Sequence, residues 1–411
     1  MKKFVFRNGI YTVLRPLYYL CKVFGLAPYS YVTDRRNKRV TADYGYWNYM
    51  FTVIWLIVYT IGLPVRILTL DSDDFDSQTL FIAFMVYVLS SYTSSMVAVV
   101  WVSVIKRRIF LEVIENVSEV DNKTRYALQQ ETYMNRNVFF NVISEIILLT
   151  LIKRTVIVYN TYQIASKPYY FIIIEKITYV PDICNALVLF QFGNLVLMLK
   201  QRYNHLIKRL TSWINGAVSR PICSNKQNER CSECNRAFDQ ENITSLYVSS
   251  VRKIEGTLIQ TDIHLSRQTY SELYDITCLI NDTYGILILA TVCSVVTRVV
   301  FCLYEVLISY NKWAGEDLTH GIAFMVLFFK VTFFCHTTTN EAMSSRILVE
   351  KLLLEGNCRN ENIEELGMFF PQPQAMKNMY TACGFFSLNL SVFTSVVSVI
   401  ASYIVILVQI K

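Results

Sequence analysis

With 411 residues, of which 53% are hydrophobic and 17% charged, and a mean hydropathy of +0.33, the chain carries more apolar surface than a soluble domain of its length needs. Composition excludes an ordinary water-soluble enzyme and indicates a polytopic membrane protein. The formal charge of +7 comes from 39 Lys and Arg against 32 Asp and Glu, and where the positive residues fall says more than their sum.

Residues 1–46 hold nine Lys and Arg with no apolar h-region behind them, so this segment is expected to stay in the cytosol while the first span directs insertion. Seven stretches are long and apolar enough to cross a hydrocarbon core, which takes about 20 helical residues. Helices 1–4 are predicted within residues 47–199, at 47–68, 79–105, 138–159 and 169–199. Helices 5 and 6 occupy 281–341, at 281–309 and 318–341, and helix 7 runs over 383–410 in the terminal segment 383–411. The fold class is therefore all-α.

Segments 1–46, 106–137, 200–280 and 342–382 contain thirty Lys and Arg, whereas 69–78, 160–168, 310–317 and Lys411 contain three. That asymmetry predicts a cytosolic N-terminus and, with an odd number of spans, an extracellular C-terminus. The first outer loop, with Asp71, Asp73, Asp74 and Asp76, is acidic, which suits either a mouth that favours cations or the solvation of a short loop. Outer loops are short, leaving no room for an extracellular ligand-binding domain.

Within the inner segment 200–280, Lys200 to Ile214 and Leu246 to Leu279 keep apolar residues at helical spacing, so spans four and five are expected to continue into the cytosol. Between them, residues 215–244 are polar and irregular and are predicted to be a flexible insert. Residues 342–382 form a cytosolic anchor helix and linker, the helix ending near Gly367 before Pro371 and Pro373. These inner helices form a helical anchor where subunits can meet.

No phosphate-binding loop, dinucleotide fingerprint, zinc-protease helix or kinase signature is present, so an enzyme is not expected. Cys231-Ser-Glu-Cys234 with Cys223, and His205 or His264 as a conceivable fourth ligand, resembles half a zinc knuckle, but a structural site normally repeats its paired ligands. A loop with free thiols is the favoured reading, and no cofactor or metal is expected. Most of the eleven cysteines are small apolar fillers rather than a disulfide framework. Asn116 and Asn242 begin glycosylation sequons on the predicted cytosolic side, where they stay unmodified.

Ionisable residues within spans carry more information, since each costs at least about 2.5 kcal/mol at the bilayer centre unless paired or wet. Lys153, Arg154, Glu175, Lys176, Asp182, Arg298, Glu305, Lys330 and His336 fall there. Two readings stand side by side. One is a salt-bridged network that holds helices together; the other is a wet outer pocket in which Arg154, Glu175, Asp182, Arg298 and Lys330, with Tyr87, Tyr92, Tyr159, Tyr179 and Phe324, surround a small ligand.

The last predicted span contains no charge from Cys383 to Ile410, yet Ser391, Ser395, Ser398 and Ser402 recur on one helical face, with Gln409 a heptad further on. Such a stripe either packs against a neighbouring helix or faces water in a pore.

The segment Thr381-Ala-Cys-Gly-Phe-Phe-Ser-Leu388, followed by Ser402-Tyr-Ile-Val-Ile-Leu-Val-Gln-Ile410, resembles the signature of the insect gustatory receptor family, whose last helix typically ends Thr-Tyr, five apolar residues, Gln-Phe. Tyr403 and Gln409 match, while Ser402 replaces the Thr and Ile410 the Phe. The stretch from Tyr18 to Pro28 resembles the one before that family's first span, and length and span number agree.

The resemblance implies a homotetrameric, tastant-gated cation channel in the plasma membrane of gustatory sensory neurons. Helix 7 lines the central pore with its four serines, and Ile406 and Ile410 beside Gln409 are the candidate constriction. The ligand pocket lies in the outer half of each subunit. Implied partners are a small-molecule tastant (a bitter compound favoured, a sugar or nucleoside also compatible), permeating cations, membrane lipid and related receptors in a heteromer, with no nucleic-acid polymer. A metabotropic seven-helix receptor and a secondary transporter are the alternatives.

Overall fold

The computed structural model describes residues 4–34, 39–43, 49–68, 77–124, 136–148, 150, 180–218, 238–308, 314–354, 366–369 and 380–409. In chain order the elements are β1 (Phe4–Arg7), α1 (Asn8–Val23), β2 (Ser30–Asp34), β3 (Arg39–Asp43), α2 (Tyr49–Leu68) and α3 (Gln78–Val100). After α3 a π-helical turn, Trp101–Ile105, leads to α4 (Ile109–Lys123) and α5 (136–148). Then come α6 (Val180–Val218), α7 (Phe238–Ile308), α8 (Ala314–Leu354), β4 (Thr381–Ala382), β5 (Phe386–Ser387) and α9 (Leu390–Gln409).

The architecture is helical, with one addition to the predicted plan. Before the first span, β1, β3 and β2 pair as an antiparallel sheet in that order, Phe4 opposite Ala42 and Ser30 opposite Asp43. Val5, Val32, Thr33, Val40 and Thr41 give these short segments the β-branched character that strands favour. Between strands, α1 buries Ile10, Val13, Leu14, Leu17, Tyr18 and Cys21, a stripe at steps of three and four. Gly25 terminates it at φ +76°, Leu26 N donating to Cys21 O at 2.8 Å. The Gly25 carbonyl then accepts from Thr52 Oγ1 at 3.2 Å and Ser103 Oγ at 2.5 Å, which ties the end of α1 to α2 and to the π-helical turn.

Six described helices are long and apolar enough to cross a membrane: Tyr49–Leu68, Gln78–Ile105, Val180–Trp213, Thr261–Ile308, Leu318–Lys351 and Leu390–Gln409. The predicted third span, 138–159, is seen as helix over 136–148, and its remainder past 150 lies outside the described residues, as do 169–179 of the fourth. Helix α6 is central. Between residues 181 and 199 every residue but Leu197 is buried, whereas α2 exposes Val53, Ile54, Ile57 and Ile61, as a helix facing hydrocarbon does.

Two boundaries differ from expectation. Both ends of the irregular insert predicted at 215–244 are helical, because α6 continues to Val218 and α7 begins at Phe238, and residues 219–237 lie outside the described residues; extending an existing helix costs little once it is nucleated. The last helix begins at Leu390 rather than 383. Cys383 (φ +51°) and Gly384 (φ +76°) adopt left-handed backbone that a helix cannot continue, and residues 380–388 form a tight hairpin closed by Leu388 N to Tyr380 O at 2.8 Å. Asn389 is the N-cap, its Oδ1 accepting from Val392 N at 3.1 Å. The hairpin is held to α7 by Thr381 N donating to Asn281 Oδ1 at 3.2 Å. It lies against Gly285, where an added Cβ would come within 3.0 Å of the Cys383 nitrogen.

Contacts divide the chain into two compact units, one of residues Met1–Lys200, Asp275–Thr338 and Asn378–Lys411, the other of Gln201–Tyr274 and Thr339–Lys377. In the second unit Tyr270 packs edge-on to Tyr203 at 5.6 Å and to Phe369 at 5.4 Å, its hydroxyl donating to Ala342 O at 3.4 Å, and Arg209 pairs with Asp262.

At Gly25 a Cβ would meet the Thr52 Cα at 3.0 Å, and the positive φ adds about 1–2 kcal/mol of strain for an L residue. Gly25→Ala is expected to lower the thermal midpoint of the purified protein; an unchanged midpoint would show that α1 is not tied to α2 through this turn.

Candidate functional site

The polar residues of α6 organise the membrane-spanning unit, because a helix buried on all sides can satisfy them only through its neighbours. Asp182 is the first. Its Oδ2 accepts from Tyr87 OH at 3.0 Å and from Arg298 Nη1, and its Oδ1 accepts from Ser91 Oγ at 2.8 Å. Arg298 also donates to Tyr87 OH, and its guanidinium lies between two rings, 4.8 Å from the Tyr87 centroid and 5.7 Å from Phe324. Both charged side chains are nearly inaccessible, at 2% and 5%, so the pair forms away from water. It joins α3, α6, α7 and α8. His320 is buried one turn before Phe324.

One turn along α6, Asn185 Oδ1 accepts from Ser94 Oγ at 2.9 Å, and its amide donates to Ser294 Oγ at 3.4 Å. Ser95 Oγ donates to Pro181 O at 2.8 Å, and Ser90 pairs with Thr297 at 2.6 Å. The run Ser90-Ser-Tyr-Thr-Ser-Ser95 thus places hydroxyls on adjacent faces of α3, where small side chains let helices approach closely. Further along, Gln191 Oε1 accepts from Tyr284 OH at 3.4 Å.

A second charged cluster closes the series. Glu145 of α5 accepts from Lys330 Nζ at 2.9 Å, from Asn141 Nδ2 at 2.9 Å and from Asn194 Nδ2 at 2.6 Å, while Asn141 also donates to Asn194 Oδ1 at 2.9 Å. Lys330 lies 5.7 Å from the Phe334 ring centroid. Both carboxylate oxygens are engaged, so this cluster pins α5 to α6 and α8.

Helix α9 has the opposite character. Of its 20 residues only Ile400 is buried, and Ser391, Ser395, Ser398, Ser402, Ile406 and Gln409 are all exposed. Ser395 and Ser402 donate to the carbonyls of Ser391 and Ser398, both at 2.9 Å, so these hydroxyls are satisfied within the helix while keeping their acceptor lone pairs outward. Phe393 anchors α9 against Phe329 of α8, with ring centroids 5.1 Å apart.

A profile of the 7tm Chemosensory receptor family matches residues 14–411. The chain belongs to this family. Among solved structures the receptor is similar to the insect olfactory receptor OR5 from Machilis hrabei, with a TM-score of 0.65 at 11% identity over 97% of this chain and 98% of that one. The structure of the same olfactory receptor in complex with eugenol gives a TM-score of 0.61, again at 11% identity, over 98% and 99%. A comparison with curated protein sequences finds no match. The similarity to OR5 concerns the fold; the family to which the receptor belongs is one of chemosensory receptors, not of enzymes.

Of the residues singled out in the sequence, the structure gathers Tyr87, Asp182, Arg298 and Phe324 in one cluster. Tyr92 lies apart from it, edge-on to Tyr59 at 6.2 Å and beside Arg66 in a cavity of about 220 Å³, and Lys330 belongs to the Glu145 cluster. Arg154, Tyr159, Glu175, Tyr179 and Ile410 lie outside the described residues, as do Lys153, Lys176, the acidic loop 71–76 and Cys223, Cys231 and Cys234. Among the described residues, no three His, Cys, Asp or Glu side chains are grouped to hold a metal ion.

Sequence reasoning missed Glu145, Asn194, Asn185, His320 and the α3 serines. Glu145 and the Ser-Ser-x-x-Ser-Ser spacing were visible signals, since both interrupt predicted spans.

Removing one partner of a buried ion pair leaves the other charge uncompensated, at a cost of about 3–5 kcal/mol, whereas replacing both is far milder. Asp182→Leu or Arg298→Met alone is expected to destabilise the receptor by that amount, and the double variant to recover at least half of it. Thermal unfolding of the detergent-solubilised protein checks this; additive losses would show that the pair carries no mutual stabilisation.

Proposed function

We propose that this receptor is a gustatory receptor acting as a tastant-gated, non-selective cation channel, assembled as a homotetramer in the plasma membrane with the N-terminus inside and the C-terminus outside. The observation that carries the reading is α9, a mostly apolar helix with a serine face that its own subunit leaves almost wholly uncovered. In a tetramer four such faces enclose a polar conduit, where the hydroxyl lone pairs replace part of a cation's hydration shell. Ile406, Gln409 and Ile410 stand at the outer end of that conduit and form its constriction, apolar side chains closing it by dewetting. The positive-charge asymmetry of the sequence supports the orientation. The second compact unit serves as the cytosolic anchor between subunits.

The ligand site in this reading lies in the outer half of the subunit around Tyr87, Phe324 and the Asp182–Arg298 pair. Paired charges flanked by aromatic rings suit a small molecule with both a ring and a hydrogen-bonding group. A bitter compound fits that description better than a sugar, and OR5 in its complex with eugenol accommodates a small molecule within the same fold. Binding biases the bundle toward a state in which α9 moves outward, the shift being set by the ligand's differential affinity for the two states.

Purified receptor in planar bilayers is expected to pass cation current, and Gln409→Ala or Ser398→Ala to change its unitary conductance or cation selectivity. Tyr87→Phe is expected to shift the ligand dose–response curve while leaving unitary conductance as it is. Identical conductance and selectivity in both α9 variants at normal surface expression would remove α9 from the pore.

A further inference from the structure

A cavity of about 360 Å³ lies between α9 and its neighbours α7 and α8, and none of the residues described above as ligand candidates lines it. Three helices wall it, each with residues at helical spacing. Helix α7 supplies Val299 and Leu303, α8 supplies Ile322, Met325, Val326 and Phe329, and α9 supplies Phe393, Val397 and Ile400. Gly321 and Cys302 also line it where α8 and α7 approach, the Cys302 Cβ lying 3.4 Å from where a Cβ on Gly321 would sit. Ile322, Val326, Phe329 and Val397 are each exposed at the surface of the single subunit, so the cavity is open on that side.

The Cys302 thiol, a weak hydrogen-bonding group, is the one side chain lining this space that is not pure hydrocarbon or thioether. Water needs two to four polar partners to occupy a cavity, and apolar cavities stay dry and take up apolar molecules. At about 30 Å³ for each water-sized group, 360 Å³ holds about twelve such groups, which suits a compact ten-carbon skeleton and falls short of a whole phospholipid acyl chain. A hydroxyl or charge on the occupant would lose its hydration with nothing in return. We propose that this cavity is a binding site for a compact, neutral, apolar molecule that enters from the bilayer. The site is separate from the polar cluster around Asp182 and selects the opposite chemistry. Because α9 forms one wall, the occupant bears directly on that helix; the consequence for gating rests on the pore reading given above, whereas binding does not.

The test is equilibrium binding of tritiated p-cymene, a ten-carbon hydrocarbon, to the full-length receptor in phosphatidylcholine nanodiscs, with protein-free nanodiscs as the blank. Saturable binding above the blank is expected. Val326→Trp and Ile322→Trp, which fill the cavity, should weaken it about tenfold or more, and Ile82→Trp on the exposed face of α3 should leave it unchanged. Thymol, the same skeleton with one hydroxyl, should compete about tenfold more weakly than unlabelled p-cymene.

Binding no greater than the blank, equal binding in the folded Trp variants, or thymol competing as well as p-cymene would overturn the proposal. So would a phospholipid that copurifies with the native chain, resists displacement by p-cymene and is lost in Val326→Trp, since an acyl chain would then be the occupant. Should Val326→Trp fail to fold, Ile322→Trp, at a more exposed position, carries the comparison. The assay needs no current: lost binding with intact conductance refutes this site alone, and retained binding without conductance refutes the pore alone.

Discussion

A charge inside hydrocarbon must find its counter-charge within the protein, and helix α6 shows how this constraint organises the membrane-spanning unit. Between residues 181 and 199 it is buried on nearly every side, yet it carries Asp182, Asn185, Gln191 and Asn194 at intervals of three and six residues. Each is satisfied by a different set of neighbours: Tyr87, Ser91 and Arg298 for the first, Ser94 and Ser294 for the second, Tyr284 for the third, Asn141 and Glu145 for the fourth. Sliding α6 by one residue would leave several of these groups without partners in a medium that offers none. The polar residues therefore fix the register of the bundle, which apolar packing between lipid-like side chains specifies weakly.

Helix α9 answers to a different constraint. It has almost no covering within its own subunit, Ser395 and Ser402 donate to carbonyls of their own helix, and it meets the rest through few side chains such as Phe393 and Ile400. The hairpin before it, pressed against Gly285 of α7, fixes where the helix starts while leaving its length loosely held. On the proposed reading, the many-partnered α6 frames the ligand site and the lightly held α9 is the wall element that moves. The apolar cavity behind α9 belongs to that loosely held side.

Much of the bundle was legible because hydrocarbon imposes a simple rule on sequence. Runs of about 20 apolar residues had to be spans, and six of the described helices meet that criterion. What periodicity could not foresee were local backbone decisions. Thr381 to Leu388 is apolar enough to extend the last span, but the left-handed Cys383 and Gly384 turn it into a hairpin, and Asn389 then caps a helix that starts later. Likewise, short β-branched segments before the first span pair into a sheet because their partners lie in adjacent sequence, which a search for spans does not register.

For the site, the sequence by itself determined the inventory: intramembrane Asp182, Arg298 and Lys330, the aromatic residues Tyr87 and Phe324, and a last helix with serines on one face. It left open whether those charges pair or wait for a ligand, because pairing depends on distances between residues more than a hundred positions apart. Tertiary structure decided that Asp182 meets Arg298 and that Lys330 meets Glu145 instead of joining the same cluster. Only the packing of α7, α8 and α9 against one another could leave a space with no polar lining, since a cavity is a property of how surfaces fail to meet and has no counterpart in any single helix.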